Sequence, residues 1–157
     1  MVFKRPGWDE IFLNIVGEIS KRSTCDRGRV ACVIVKNQRI ISMGYAGSPN
    51  GHPHCDEVGH SIIKMENEEG VKTNHCNRTI HSEINAIARA AREGIKLDGS
   101  ILYCSLVPCS NCAKIIIQTG IQEVICDYNY HASTLTKKLF DLANIKLKII
   151  HNEYKKY

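Results

Sequence analysis

The sequence predicts an α/β fold, a five-stranded mixed sheet flanked by helices. Three observations predict it. Helical and extended periodicities alternate along most of the chain, the pattern of layered α/β domains. The 157 residues suit one domain able to bury a core, and residues 1–157 show no internal repeat, low-complexity run or composition break. Hydrophobic residues make up 43% and charged residues 24%, an ordinary globular balance.

Trp8 to Ser20 reads as an amphipathic helix, with Ile11, Phe12, Ile15, Val16 and Ile19 on one face. Val30 to Val35 is a β-rich apolar run, Lys36 to Arg39 a turn, and Ile40 to Met43 a second strand, so the pair reads as a hairpin. A long polar loop follows from Gly44 to Asn77, rich in glycine and bearing cysteine and histidine over about 44–78. A short helix is expected within it around His60 to Glu68. Ile80 to Arg92 carries Ile84, Ile87, Ala88 and Ala91 at helical spacing. Ile101 to Cys104 reads as a buried strand. Pro108 suits a helix start, and that helix continues through Ala113 to Gln118 and stops before Gly120. Glu123 to Cys126 is a strand, Ser133 to Leu142 a helix with Ser133 as its cap, and Lys146 to Ile150 a last strand. The order is α-β-β-loop-α-β-α-β-α-β.

The net charge of +5 is modest and scattered, and it does not point to nucleic acid. Nothing approaches a membrane span, and the N-terminus has no apolar h-region. Eight cysteines without a secretion signal favour metal binding over disulfides, and a reducing cytoplasm.

Two stretches carry chemistry: His81-Ser82-Glu83 and Pro108-Cys109-Ser110-Asn111-Cys112. His81, Cys109 and Cys112 supply three zinc ligands and leave a fourth position open, as a catalytic site requires. Water in that position has its pKa lowered towards about 7. Glu83 stands close enough to act on the water without binding metal, as a proton shuttle. If the first helix runs away from the metal, the strand returns and the second helix starts beside the first. Both helix dipoles then favour thiolates at Cys109 and Cys112. The combined H-x-E…P-C-x-x-C pattern resembles the signature of zinc-dependent nucleobase deaminases.

Cys25, Cys55 and Cys76 remain, near His54, His60 and His75. A second, closed and structural zinc would pin the long loop, since ordering so much chain without a core is entropically costly. The expected set is Cys25, Cys55, His60 and Cys76, with His75 as substitute for one. Cys32, Cys104 and Cys126 lie in strands and read as small core residues.

Over nearly its whole length the chain resembles the deoxycytidylate (dCMP) deaminases of the zinc-dependent cytidine deaminase superfamily, a three-layer α/β/α fold. The carriers are Arg22 to Cys25, Gly44 to Gly51, His54 to Glu57, His75 to Ala86, Pro108 to Lys114, Ile116 to Ile121, and Tyr130-His131. The resemblance implies hydrolysis of dCMP to dUMP and ammonia, which feeds thymidylate synthesis. It also implies a homohexamer, activated by dCTP and inhibited by dTTP in many members. One departure stands out: Ala46 replaces the family's Asn in Gly44-Tyr45-Ala46-Gly47. That Asn is expected to bond the deoxyribose, and its loop, with Asn50 and Gly51, is linked to the effector site. The departure implies altered regulation or a broader nucleotide range, including dCTP.

Candidate substrate contacts are Arg22, Arg27, Arg29, Lys114 and His131 for phosphate, Tyr128 or Tyr130 stacked on the pyrimidine, and the backbone from Ser105 to Val107 around the ring. Two other readings compete. A polynucleotide deaminase calls for a basic stripe with interleaved aromatics, but aromatics are only 6% and no dense basic run precedes the zinc segments. A decayed zinc scaffold calls for loss of Glu83 or a ligand, and none is lost.

Overall fold

The computed structural model describes residues 3–66, 70 and 72–155. The elements run α1 (Trp8–Ser20), β1 (Ala31–Lys36), β2 (Arg39–Tyr45), α2 (Cys55–Val58), β3 (Ile62–Glu66), β4 (Lys72–Cys76), α3 (Ser82–Arg92), β5 (Ile101–Leu106), α4 (Ser110–Gln118), β6 (Glu123–Asn129), α5 (Thr134–Leu142) and β7 (Lys146–Tyr154). Five strands form the expected mixed sheet, and their order is β2-β1-β5-β6-β7. β1 pairs antiparallel with β2 and β5; β5, β6 and β7 are parallel.

Side-chain alternation divides the sheet into two apolar faces. Val33, Val35, Tyr103 and Ile125 face α1, which buries Phe12 and Val16 against them. Ile34, Leu102, Val124 and the row Cys32, Cys104 and Cys126 face the other way, under Ala86, Ala90, Ile116 and Phe140 of α3, α4 and α5. The three strand cysteines are thus core residues. The β1–β2 turn takes Asn37 and Gln38 at φ 50° and 59°, the left-handed pair that a two-residue hairpin needs.

The stretch expected as a long loop departs most from the sequence reading. Instead of a helix around His60 to Glu68, Ile62–Glu66 is a strand paired antiparallel with Lys72–Cys76; residues 67 and 68 lie outside the described set. Lys64, Met65 and Glu66 suit a helix alone, but Ile62 lies opposite Cys76, and pairing along that register overrides local preference. The short helix lies earlier, at Cys55–Val58. Ser133 stands at the N-cap of α5 but makes no capping bond, because its hydroxyl donates to Asn129 Oδ1 at 2.9 Å.

Candidate active site

α3 and α4 begin side by side, α4 directly after the central strand β5. His81 is the N-cap of α3 and Cys109 the N-cap of α4, both in extended conformation, and Cys112 lies in the first turn of α4. His81 Nδ1 is 3.5 Å from Cys109 Sγ and 3.4 Å from Cys112 Sγ. Tetrahedral zinc with bonds of about 2.3 Å to sulfur and about 2.05 Å to nitrogen holds those atoms about 3.6 Å apart. The donor set therefore fits the ion. Glu83 is buried in the first turn of α3, where its Oε2 accepts from Ser82 Oγ at 3.0 Å.

The three donors share protons closely. Cys112 and His81 both lean on the Cys109 sulfur, and its thiol drops to about 4. The same contact raises His81 to about 9, and the Cys112 thiol rises beside the Cys109 charge. Burial pushes the Glu83 carboxyl above its usual range, against the pull of His81.

β2 fixes where α3 starts. A Cβ on Gly44 would run into the Ser82 carbonyl and come within 2.6 Å of Ala86 N, so only glycine allows this approach. Asn85 Nδ2 donates to Tyr45 O at 2.7 Å, and Ser42 Oγ donates to Ala86 O at 2.7 Å. From behind, buried Thr136 donates to Pro108 O at 2.8 Å, just before Cys109. Ser42 and Thr136 carry no signal in the sequence; Asn85 falls inside the His75 to Ala86 stretch without a role of its own, although a polar residue two past Glu83 in an Ala/Ile-rich helix marks it.

The second group also converges. Cys25, Cys55, His60 and Cys76 bring donor atoms within 4.8 Å of one another. Cys55 Sγ and Cys76 Sγ are 3.5 Å apart, and Cys25 Sγ lies 3.8 Å from His60 Nδ1. These lengths also suit tetrahedral zinc, whose sulfurs stand about 3.8 Å apart. His60 Nε2 meets Asp26 Oδ1 at 2.9 Å, so a carboxylate orients the ring. His75 is not part of this group. It neighbours Cys76 along β4, so alternation turns it to the other face, where Nε2 meets Thr73 Oγ1 at 2.8 Å.

The other candidates are dispersed. Arg22, Arg29, Lys114 and His131 are exposed, and Arg27 donates to Asn74 O at 3.1 Å on the hairpin. The Ser105 hydroxyl is taken up by Ala31, accepting from its N–H at 3.0 Å and donating to its carbonyl at 3.2 Å. Val107 is buried and its N–H donates to Tyr128 O at 3.1 Å. Tyr128 stacks on His151. Tyr130 is half-buried against His131, and burial together with the Cys109 charge raises its hydroxyl pKa. Ala46 is buried, with its N–H donating to Val30 O and its carbonyl accepting from Thr24 N–H. Gly47 pairs with Ile80, whereas Asn50 and Gly51 lie in an exposed turn.

Residues 6–128 match the family model described as the cytidine and deoxycytidylate deaminase zinc-binding region. The chain belongs to this deaminase family. It is 35% identical over 144 residues to the deoxycytidylate deaminase of Schizosaccharomyces pombe, covering 92% of this chain and 44% of that protein. It therefore spans less than half the length of that relative. The human deoxycytidylate deaminase is 34% identical over 147 residues, covering 90% of this chain and 78% of the human one. Among solved structures, the dCMP deaminase of cyanophage S-TIM5, in complex with dCMP and dUMP, superposes with a TM-score of 0.73 at 27% identity. That match covers 94% of this chain and 99% of the phage protein. The family's fold and zinc-binding region account for the sheet and for the two adjoining helix starts. Among the described residues, no helix is long and apolar enough to cross a membrane.

Proposed function

We propose that this chain hydrolyses dCMP to dUMP and ammonia, with one zinc ion held by His81, Cys109 and Cys112. The observation that carries this reading is the convergence of one imidazole nitrogen and two sulfurs at zinc-ligand spacing beside buried Glu83. Zinc with three protein ligands keeps one position for water and lowers the pKa of that water towards about 7. Glu83 takes a proton from the attacking water and hands it to the ring nitrogen N3. Once the C4–O bond has formed, Glu83 takes a second proton, from the new C4 hydroxyl, and passes it to the amine; the C4–N bond then breaks, ammonia leaves and a C4 carbonyl remains. Its raised pKa suits a group that must give back what it takes. The S-TIM5 enzyme, solved with dCMP and dUMP, supports the choice of substrate.

Cys25, Cys55, His60 and Cys76 hold a second zinc with no open position. The exposed β3–β4 hairpin supports this, since two strands alone are marginal in water and the ion would fasten their base. The resemblance supports a cytoplasmic homo-oligomer, a hexamer, with dCTP and dTTP as effectors. Ala46 favours a second reading for regulation. Its backbone groups are both engaged and only a methyl remains, so it supplies no hydrogen bond to a deoxyribose. In that reading the dCTP switch is lost and dCTP itself joins the substrates.

Ammonia release from dCMP, dCTP, CMP, deoxycytidine and single-stranded DNA tests both. Turnover of dCMP is expected; preference for DNA or for the unphosphorylated nucleoside would sink the first reading. Sigmoidal dCMP kinetics made hyperbolic by dCTP would sink the second.

A further inference from the structure

The two donor clusters stand at the ends of one short run of chain. Cys76 belongs to the four-residue cluster and His81 to the three-residue one. Between them, Thr79 Oγ1 lies 3.5 Å from Cys55 Sγ and 3.6 Å from Cys76 Sγ. The next residue, Ile80, is clamped to Gly47 by a pair of backbone bonds, Ile80 N–H to Gly47 O at 2.8 Å and Gly47 N–H to Ile80 O at 3.3 Å. His81 follows as the cap of α3. The Gly47 side of the clamp leads back to the same cluster. Ala46 O accepts from Thr24 N–H at 3.1 Å, Thr24 adjoins Cys25, and Thr24 O accepts from Asp56 N–H, next to Cys55, at 3.2 Å. Both segments that meet at Ile80 are therefore anchored beside cluster cysteines.

We propose that the four-residue cluster positions the catalytic ligand: an ion held there orders Thr79 and Ile80 and so places His81, with Thr79 as the linking side chain. This rests on the cluster holding zinc. With thiolates fixed by the ion, the Thr79 hydroxyl has an immobile partner, and the chain from Cys76 to His81 is ordered before the catalytic zinc arrives. The ordering entropy is then not charged against catalytic-site binding, and the coupling is reciprocal. Thr79 is a positioning residue, acting through Ile80 and His81.

Chelator competition on the zinc-loaded chain tests this, with zinc per chain measured by elemental analysis and the His81→Ala chain identifying which transition belongs to the cluster. Thr79→Val is expected to keep two zinc ions but to hold the catalytic one about tenfold more weakly, as for groups behind metal ligands, and Thr79→Ser to restore it. A second measurement does not need Thr79 replaced: in His81→Ala, zinc is expected to slow amide exchange at Ile80 and Gly47. Unchanged catalytic-site affinity in a folded Thr79→Val chain, or Ile80 exchange indifferent to zinc in His81→Ala, overturns the coupling and leaves the cluster reading intact. One zinc per wild-type chain overturns both.

Discussion

Glu83 combines burial with a carboxyl pKa above its usual range. A raised folded-state value means the charge is held at a cost: stability declines as pH rises past the ordinary value of 4.5 towards the folded one. Glu83→Gln removes that cost and, with it, the carboxylate proposed to shuttle protons. It is expected to keep zinc, to lose about 10²–10⁴-fold in turnover, and to raise the melting temperature of the chelator-treated chain at pH 7. Elemental analysis, ammonia release and calorimetry check the three parts. Gly44→Ala acts from outside the site. Its methyl meets Ser82 and Ala86 backbone, so α3 must shift; a loss of about 1–3 kcal/mol in urea unfolding is expected, with turnover falling as well. The meeting of His81, Cys109 and Cys112 is legible in the sequence because metal chemistry dictates residue type and spacing together. Contacts to the nucleotide are not legible, because a hydroxyl such as that of Ser105 is equally able to serve a neighbouring strand, and here it bonds Ala31.

At the scale of elements, periodicity locates those whose apolar stripe or alternating face meets the main sheet. α1 reads correctly because Phe12 and Val16 have a core to enter. The β3–β4 hairpin does not, because β3 is exposed along its whole length and shows no alternation of buried and exposed positions. α1 is also tied down by charge. Asp9 accepts from Tyr103 Oη at 2.9 Å and from Lys148 Nζ at 2.6 Å. Burial raises the Asp9 carboxyl, but these two partners outweigh it and hold the pKa below the ordinary 3.8. A lowered folded value gives stability that is present above the ordinary value and lost as pH falls through the folded one. Asp9→Asn is therefore expected to be less stable at pH 7 and to lose less than wild type on acidification below about pH 4, by urea midpoints. In the hairpin's base, Asp26→Ala frees the His60 ring. Zinc in the four-residue cluster should weaken about 10–100-fold in chelator competition, and the catalytic ion should weaken only once the cluster has emptied.

For the whole molecule, alternating elements make the five-stranded mixed sheet and its flanking helices legible, whereas the strand order β2-β1-β5-β6-β7 comes from the structure. The segment between β2 and α3 escaped because its order comes from cysteine, histidine and backbone pairing in place of a buried apolar face. Stripping metal should therefore act unevenly. Chelation is expected to lower the melting temperature and to deprotect β3 and β4 in amide exchange, while β1, β5 and β6 stay protected. Uniform deprotection would show that no such division exists.

α3 and α4 share a peculiarity: the residue that opens each helix turns its side chain to the metal centre and makes no capping bond. The leading amides of both coils thus lack the internal partner that a serine or aspartate normally provides. Those uncapped first turns are therefore the places in α3 and α4 where amide exchange should respond first to a ligand seated between them, a direct reading of whether the site is filled.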